Sequence, residues 1–129
     1  MKSGESASIL EEVRSYLLKK NGATEDWPFA PEVPVYRVMD KMFALVWLRD
    51  NPPRMNLKLD PEHAEILRDV YEAVTPGYHM NKRHWSTIIL DGSVPQDELF
   101  EWIDESYKLV IAGLPKRKRQ ALANLHKPS

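Results

Sequence analysis

The sequence contains no cysteine. That excludes disulfides, thiolate metal sites and cysteine nucleophiles together, and it suits a reducing cytosol. Glycine is sparse: the five glycines each stand alone, so there is no glycine-rich phosphate loop. Long apolar runs are missing too. The longest, MFALVWL from Met42, falls well short of the roughly 20 residues needed to span a bilayer. The opening MKSGESASI lacks the apolar core of a signal peptide, so none is expected. A cytoplasmic protein with no membrane partner is the expectation. A net charge of −1 lacks the surplus of a generally basic nucleic-acid binder.

What is present is ordinary globular material. The 129 residues suit one domain, 1–129, and 43% hydrophobic with 29% charged residues is enough to build a core. Charge is sorted along the chain. Residues 61–75 carry one arginine against four acids, and 91–114 carry one lysine against six. The tail at 115–129 reverses this, with Lys116, Arg117, Lys118, Arg119 and Lys127 and no acid.

Periodicity predicts the elements. Ile9, Val13 and Leu17 fall at helical spacing in SASILEEVRSYLLKKNG, with Ser8 and Glu11 as a capping box. Residues 23–34, with three prolines, read as an extended loop carrying Trp27 and Phe29. Val35–Met39 and Met42–Leu48 flank Asp40-Lys41 as a tight hairpin. In MNLKLD, strict alternation turns Met55, Leu57 and Leu59 inward and Asn56 and Lys58 outward. Asp60-Pro61-Glu62 starts a helix that runs on Leu67, Val70, Tyr71 and Val74 to Thr75-Pro76-Gly77. HWSTIIL is the next strand, and Ser93 with Gln96 opens a last long helix ended by Pro115. A further short helix on Leu122 and Leu125 would carry four cations in its first turn, against its dipole. The order is α-β-β-β-α-β(β)-α. It implies an α+β, two-layer fold: an antiparallel β-sheet with helices packed on it.

The chemistry concentrates in PGYHMNKRHW, residues 76–85. A metal fits poorly there. His79 and His84 lie five apart, which is about 140° around a helix or opposite faces of a strand. His63 and His126 supply no obvious third ligand, so neither metal nor cofactor is expected. Ser86, Ser93 and Ser106 lack a nucleophile-elbow context and no carboxylate pair is signalled, so no catalytic constellation is visible and an enzyme is not expected. Phosphate contact is the sharper reading. His79, Asn81, Lys82 and Arg83, with Lys58 on the polar face of a strand, are donors of the types that bind nucleic-acid backbones. The competing reading makes Tyr78 and Trp85 packing aromatics and Lys82-Arg83 a solvated tip. A protein-interaction module is the third class, since helices over a sheet can leave a face for a partner.

Taken together, KMFAL at 41–45, LKLDPE at 57–62, PGYHMNKRHW at 76–85, LDGSVP at 90–95 and SYKLV at 106–110 resemble the MmcQ/YjbR family of small bacterial proteins. The likeness spans about residues 9–119, in the family's order and spacing. Asp40 departs from a frequent glycine before KMFAL, and Tyr36-Arg37 replaces a common Phe-Lys. The resemblance implies a double-wing α+β fold whose members are often labelled DNA-binding, so double-stranded DNA is the implied partner. The same shape is similar to bacterial secretion-chaperone folds, which supports a protein partner instead. The family brings no agreed catalytic residues.

Overall fold

Met55, Leu57 and Leu59 alternate onto one face, and all three are buried. Their strand lies inside a six-stranded sheet in the computed structural model, which describes the backbone of residues 2–78 and 80–125 and the side chains of residues 9–78 and 80–125. In chain order the elements are α1 (Lys2–Lys19), β1 (Ala23–Asp26), β2 (Val35–Val38), β3 (Lys41–Trp47) and β4 (Arg54–Lys58), then α2 (Pro61–Val70), β5 (Val74–Pro76), β6 (Trp85–Ile89), α3 (Gln96–Ala112) and α4 (Lys116–Leu125). The strands run in the order β1-β2-β3-β4-β6-β5, every neighbouring pair antiparallel. Val13 and Leu17 of α1, Ala64 and Leu67 of α2, and Leu99, Trp102 and Ile103 of α3 share one core with Phe43, Val46, Met55, Leu57 and Ile88 of the sheet. The α+β class and antiparallel sheet expected from the sequence are what the chain forms.

Local chemistry explains the boundaries. Asp60 caps α2, its Oδ1 accepting from the N–H groups of Glu62 and His63 at 3.0 and 3.3 Å, with Pro61 in the first turn. At the α1–α3 contact, Asp104 accepts from Tyr16 at 2.7 Å and from Lys20 at 2.6 Å. Burial, reinforced by that carboxylate, pushes the Tyr16 phenol up to about 12, so it stays a donor at neutral pH. Burial raises Tyr36 likewise, and its hydroxyl donates to Glu25 of β1.

Several expectations need correction. The 23–34 segment opens with a strand, β1, whose polar sequence Ala-Thr-Glu-Asp gives no apolar alternation because it is an edge. Helix α2 stops at Val70; Tyr71 is extended, and Val74–Pro76 pairs with β6 instead. Ser93 does not cap α3: Pro95 stands at that position, and the Ser93 N–H and hydroxyl both donate to Asp91 at 3.0 and 2.6 Å. Helix α1 reaches back to Lys2, so Ser8 lies within it and not at its start. Helix α4 exists, with Leu122 buried but Leu125 exposed.

The β2–β3 hairpin turns on Met39 and Asp40, one residue earlier than expected, with φ of 49° and 70°. Positive φ at both central residues is the primed turn whose twist suits a two-residue loop, and it favours glycine second. Asp40→Gly is therefore expected to raise stability by about 0.5 kcal/mol. Relief of a left-handed side chain, worth about 1 kcal/mol, outweighs the added freedom of the unfolded chain. Thermal denaturation checks this, and an unchanged or lower midpoint would contradict it.

Candidate functional site

Tyr78 and Met80 of the PGYHMNKRHW segment pack on the sheet face opposite the helices. Asn56, expected on a solvated face, lies at 0% exposure. Its partner across β6 is Thr87, and both point away from the helical layer because Met55 and Ile88, their neighbours, point into it. Asn56 Oδ1 accepts from Trp47 Nε1 at 3.2 Å and from Thr87 Oγ1 at 2.8 Å. Its Nδ2 donates to the Tyr78 carbonyl at 3.1 Å and to Met80 Sδ at 2.9 Å. Thr87 Oγ1 in turn accepts from the Tyr78 N–H at 2.7 Å. The indole can only donate and the carbonyl only accept, so the amide orientation is forced. The Tyr78 ring meets Trp47 edge-on at 5.3 Å, with the Arg54 guanidinium 5.3 Å from its centre.

Beyond Met80 the chain forms a turn that carries the cations. Asn81 Oδ1 accepts from the Arg83 N–H at 2.9 Å, and the Asn81 carbonyl from the Trp85 N–H at 2.9 Å. Lys82 Nζ reaches the Gly77 carbonyl at 3.2 Å, while Arg68 of α2 donates to the Lys82 carbonyl at 3.1 Å and to Ser86 Oγ at 3.2 Å. Asn81, Lys82, Arg83 and His84 are all exposed. His79 lies outside the described residues. Tyr78 thus packs and Lys82 and Arg83 are exposed, both as the competing reading has them.

The tertiary structure brings Lys58 to this turn. Lys58 pairs with Trp85 across β4 and β6, and the Leu59 N–H donates to the His84 carbonyl at 3.0 Å. At the same end of the sheet, Lys41, Met42, Lys58 and Trp85 line a groove of about 400 Å³ together with Leu109, Val110 and Gly113 of the α3 end. Ser106 ties α3 to that end: its hydroxyl donates to the Phe43 carbonyl and accepts from the Lys58 N–H at 2.9 Å. Three residues beyond Gly113 begins α4, whose first turn holds Lys116, Arg117, Lys118 and Arg119 and no acid. Packing of Leu122 and the bond from Asn21 Nδ2 to the Leu122 carbonyl at 2.9 Å hold this helix in place despite that charge.

Sequence reasoning missed Lys41, Asn56, Thr87 and Arg68 as contributors, and read Trp85 as a packing aromatic at the start of a strand. Nothing in the local sequence announces that β6 lies beside β4. Among the described residues no cluster of three histidine, aspartate or glutamate side chains could hold a metal, and no helix is long and apolar enough to cross a membrane.

A family model described as YjbR matches residues 18–109. The chain belongs to the YjbR family. The Escherichia coli K12 protein YjbR, itself described as uncharacterised, is 38% identical over 120 residues, covering 90% of this chain and 98% of that protein. The Bacillus subtilis protein YyaQ, also uncharacterised, is 42% identical over 55 residues, 43% of this chain and 46% of the relative. In three dimensions the chain is similar to Deinococcus radiodurans protein DR2400, a DUF419 domain, with a TM-score of 0.82 at 38% identity over 88% of this chain and 87% of that one. A Pseudomonas syringae protein of known crystal structure gives a TM-score of 0.67 at 29% identity, covering 77% and 96% of the two chains. The YjbR match takes in Lys41, Lys58 and the whole 76–85 motif, whereas α4 lies beyond it.

Proposed function

We propose that this YjbR protein binds DNA weakly, mainly through contact with the phosphate backbone. The observation that carries the reading is the juxtaposition of Lys58 with Trp85 and the 82–84 turn, with Lys41 on the same groove. Lys41, Lys58, Lys82 and Arg83 supply the charge, and Asn81 Nδ2 a neutral donor, since its Oδ1 is engaged in the turn. His79 belongs to the same tip by sequence. The basic first turn of α4 adds long-range attraction. Opposing this, α2 presents exposed Glu65 one helical turn from Arg68, a negative charge near the tip that works against phosphate.

Neutralising about four phosphates predicts that log K falls with log salt at a slope of about −3.6. Fluorescence anisotropy with a short labelled duplex over a salt series measures it. Lys41→Glu/Lys58→Glu and Lys82→Glu/Arg83→Glu are each expected to flatten the slope to about −1.8. Flat titrations of the wild type at low salt would sink the proposal. They would favour a protein-binding module, for which Ile66 and Val70, one turn apart on α2 and 60% and 65% exposed, offer an apolar patch.

A further inference from the structure

Trp85 stands apart from the other aromatic side chains of the sheet. Trp47 and Tyr78 pack on one another, as do Phe43 and Tyr107, and Tyr71 packs on Trp102. Trp27 lies under the Arg14 guanidinium. Among the described residues, Trp85 has no ring partner, no cation over its face and no acceptor for its indole N–H. It is half-buried and forms part of the wall of the groove, with Lys58 across the strand pair and Lys41 and Met42 of β3 lining the same groove.

We infer that this groove is a stacking site for an unpaired base of a single-stranded nucleic acid, with Trp85 as the platform and Lys41 and Lys58 holding the flanking phosphates. The inference rests on the phosphate-contact reading and adds to it a ligand class. A tryptophan and two lysines lining one groove match the requirements of single strands, whose bases offer a π-face and whose backbone tracks a positive groove. About 400 Å³ is within the range of small-ligand sites and accepts one nucleotide. The base faces of a duplex are already stacked on one another, so a tryptophan recessed in a groove cannot reach them. The two walls differ in sign. Helix α3 ends here with no basic residue in its last turn, so its carbonyl end disfavours phosphate and leaves that to the lysine wall. Met42 and Leu109 give the base an apolar edge to lie against.

The test compares labelled oligo(dT) with a duplex of equal length, by anisotropy at low salt, on the wild type, Trp85→Leu, Trp85→Phe and Lys41→Glu/Lys58→Glu. The single strand is expected to bind about ten-fold tighter than the duplex, and Trp85→Leu to remove about that factor for oligo(dT) while weakening the duplex far less. Trp85→Phe keeps a ring and is expected to retain most of the preference, and the lysine reversal to weaken both ligands. Equal affinity of the wild type for both ligands overturns the stacking site while the phosphate reading stands. So does a Trp85→Leu protein with unchanged oligo(dT) affinity. Absence of binding to either ligand overturns both. The wild-type comparison decides the matter even where a Trp85 variant fails to fold.

Discussion

Replacing Gly77 with alanine is expected to lower stability by about 3 kcal/mol, a large loss for a single methyl group. The added Cβ would sit 2.7 Å from the Trp85 carbonyl oxygen and 2.9 Å from the Trp85 Cβ. Backbone cannot swing aside as a flexible side-chain tip can, so β5 and β6 must separate at their shared end. The Gly77 N–H donates to that same carbonyl at 2.9 Å, and the bond goes with the approach. Overpacking contributes about 2 kcal/mol and the lost bond about 1. The melting temperature should fall by about 10 °C for a chain of this size. Because Trp85 lines the groove, the same substitution is expected to weaken any ligand held there. A change under about 1 kcal/mol would show that the strands separate freely and that Gly77 is not needed for their approach.

Asn56→Leu is expected to cost about 3–4 kcal/mol although leucine fits the size and is more apolar. The Asn56 side chain closes a network among Trp47, Tyr78, Met80 and Thr87 with both ends of its amide. Leucine would take one bond each from the part-buried Trp47 N–H and Tyr78 carbonyl and from the buried Thr87 hydroxyl, at about 1 kcal/mol apiece. The loss should also be local. Hydrogen exchange at residues 78–84 is expected to accelerate more than in α3, because the network is what holds that segment on the sheet. Uniform acceleration across the chain would argue that Asn56 serves the whole core and not the covering loop.

How much of this was legible in the sequence varies by element. Periods of 3.6 and 2 locate α1, α2, α3, β2, β3 and β4 because each buries one face or, in β3, nearly both. The edge strands β1 and β5 escaped. A three- or four-residue edge needs only a partner, and its residues carry no face pattern. The side of Asn56 was predicted correctly and its solvation wrongly. Alternation tells which face a residue occupies, but not whether a loop some twenty residues later covers that face. Likewise the turn residue Asn81 and the exposed Lys82 and Arg83 were visible as a polar tip, whereas Trp85 as the open wall of a groove was not.

By itself the sequence determined the fold class, the helical layer, the family motif and the absence of thiol chemistry. These depend on residue type and on spacings shorter than a dozen positions. Tertiary structure decided which residues share a site. Lys41, Lys58, Trp85 and the end of α3 are far apart along the chain, and the strand order β3-β4-β6 with Ser106 anchoring α3 brings them together. That order is set by which strand faces bury best against the helices and by which loops can close. It is a property of the whole core, and no window of sequence contains it.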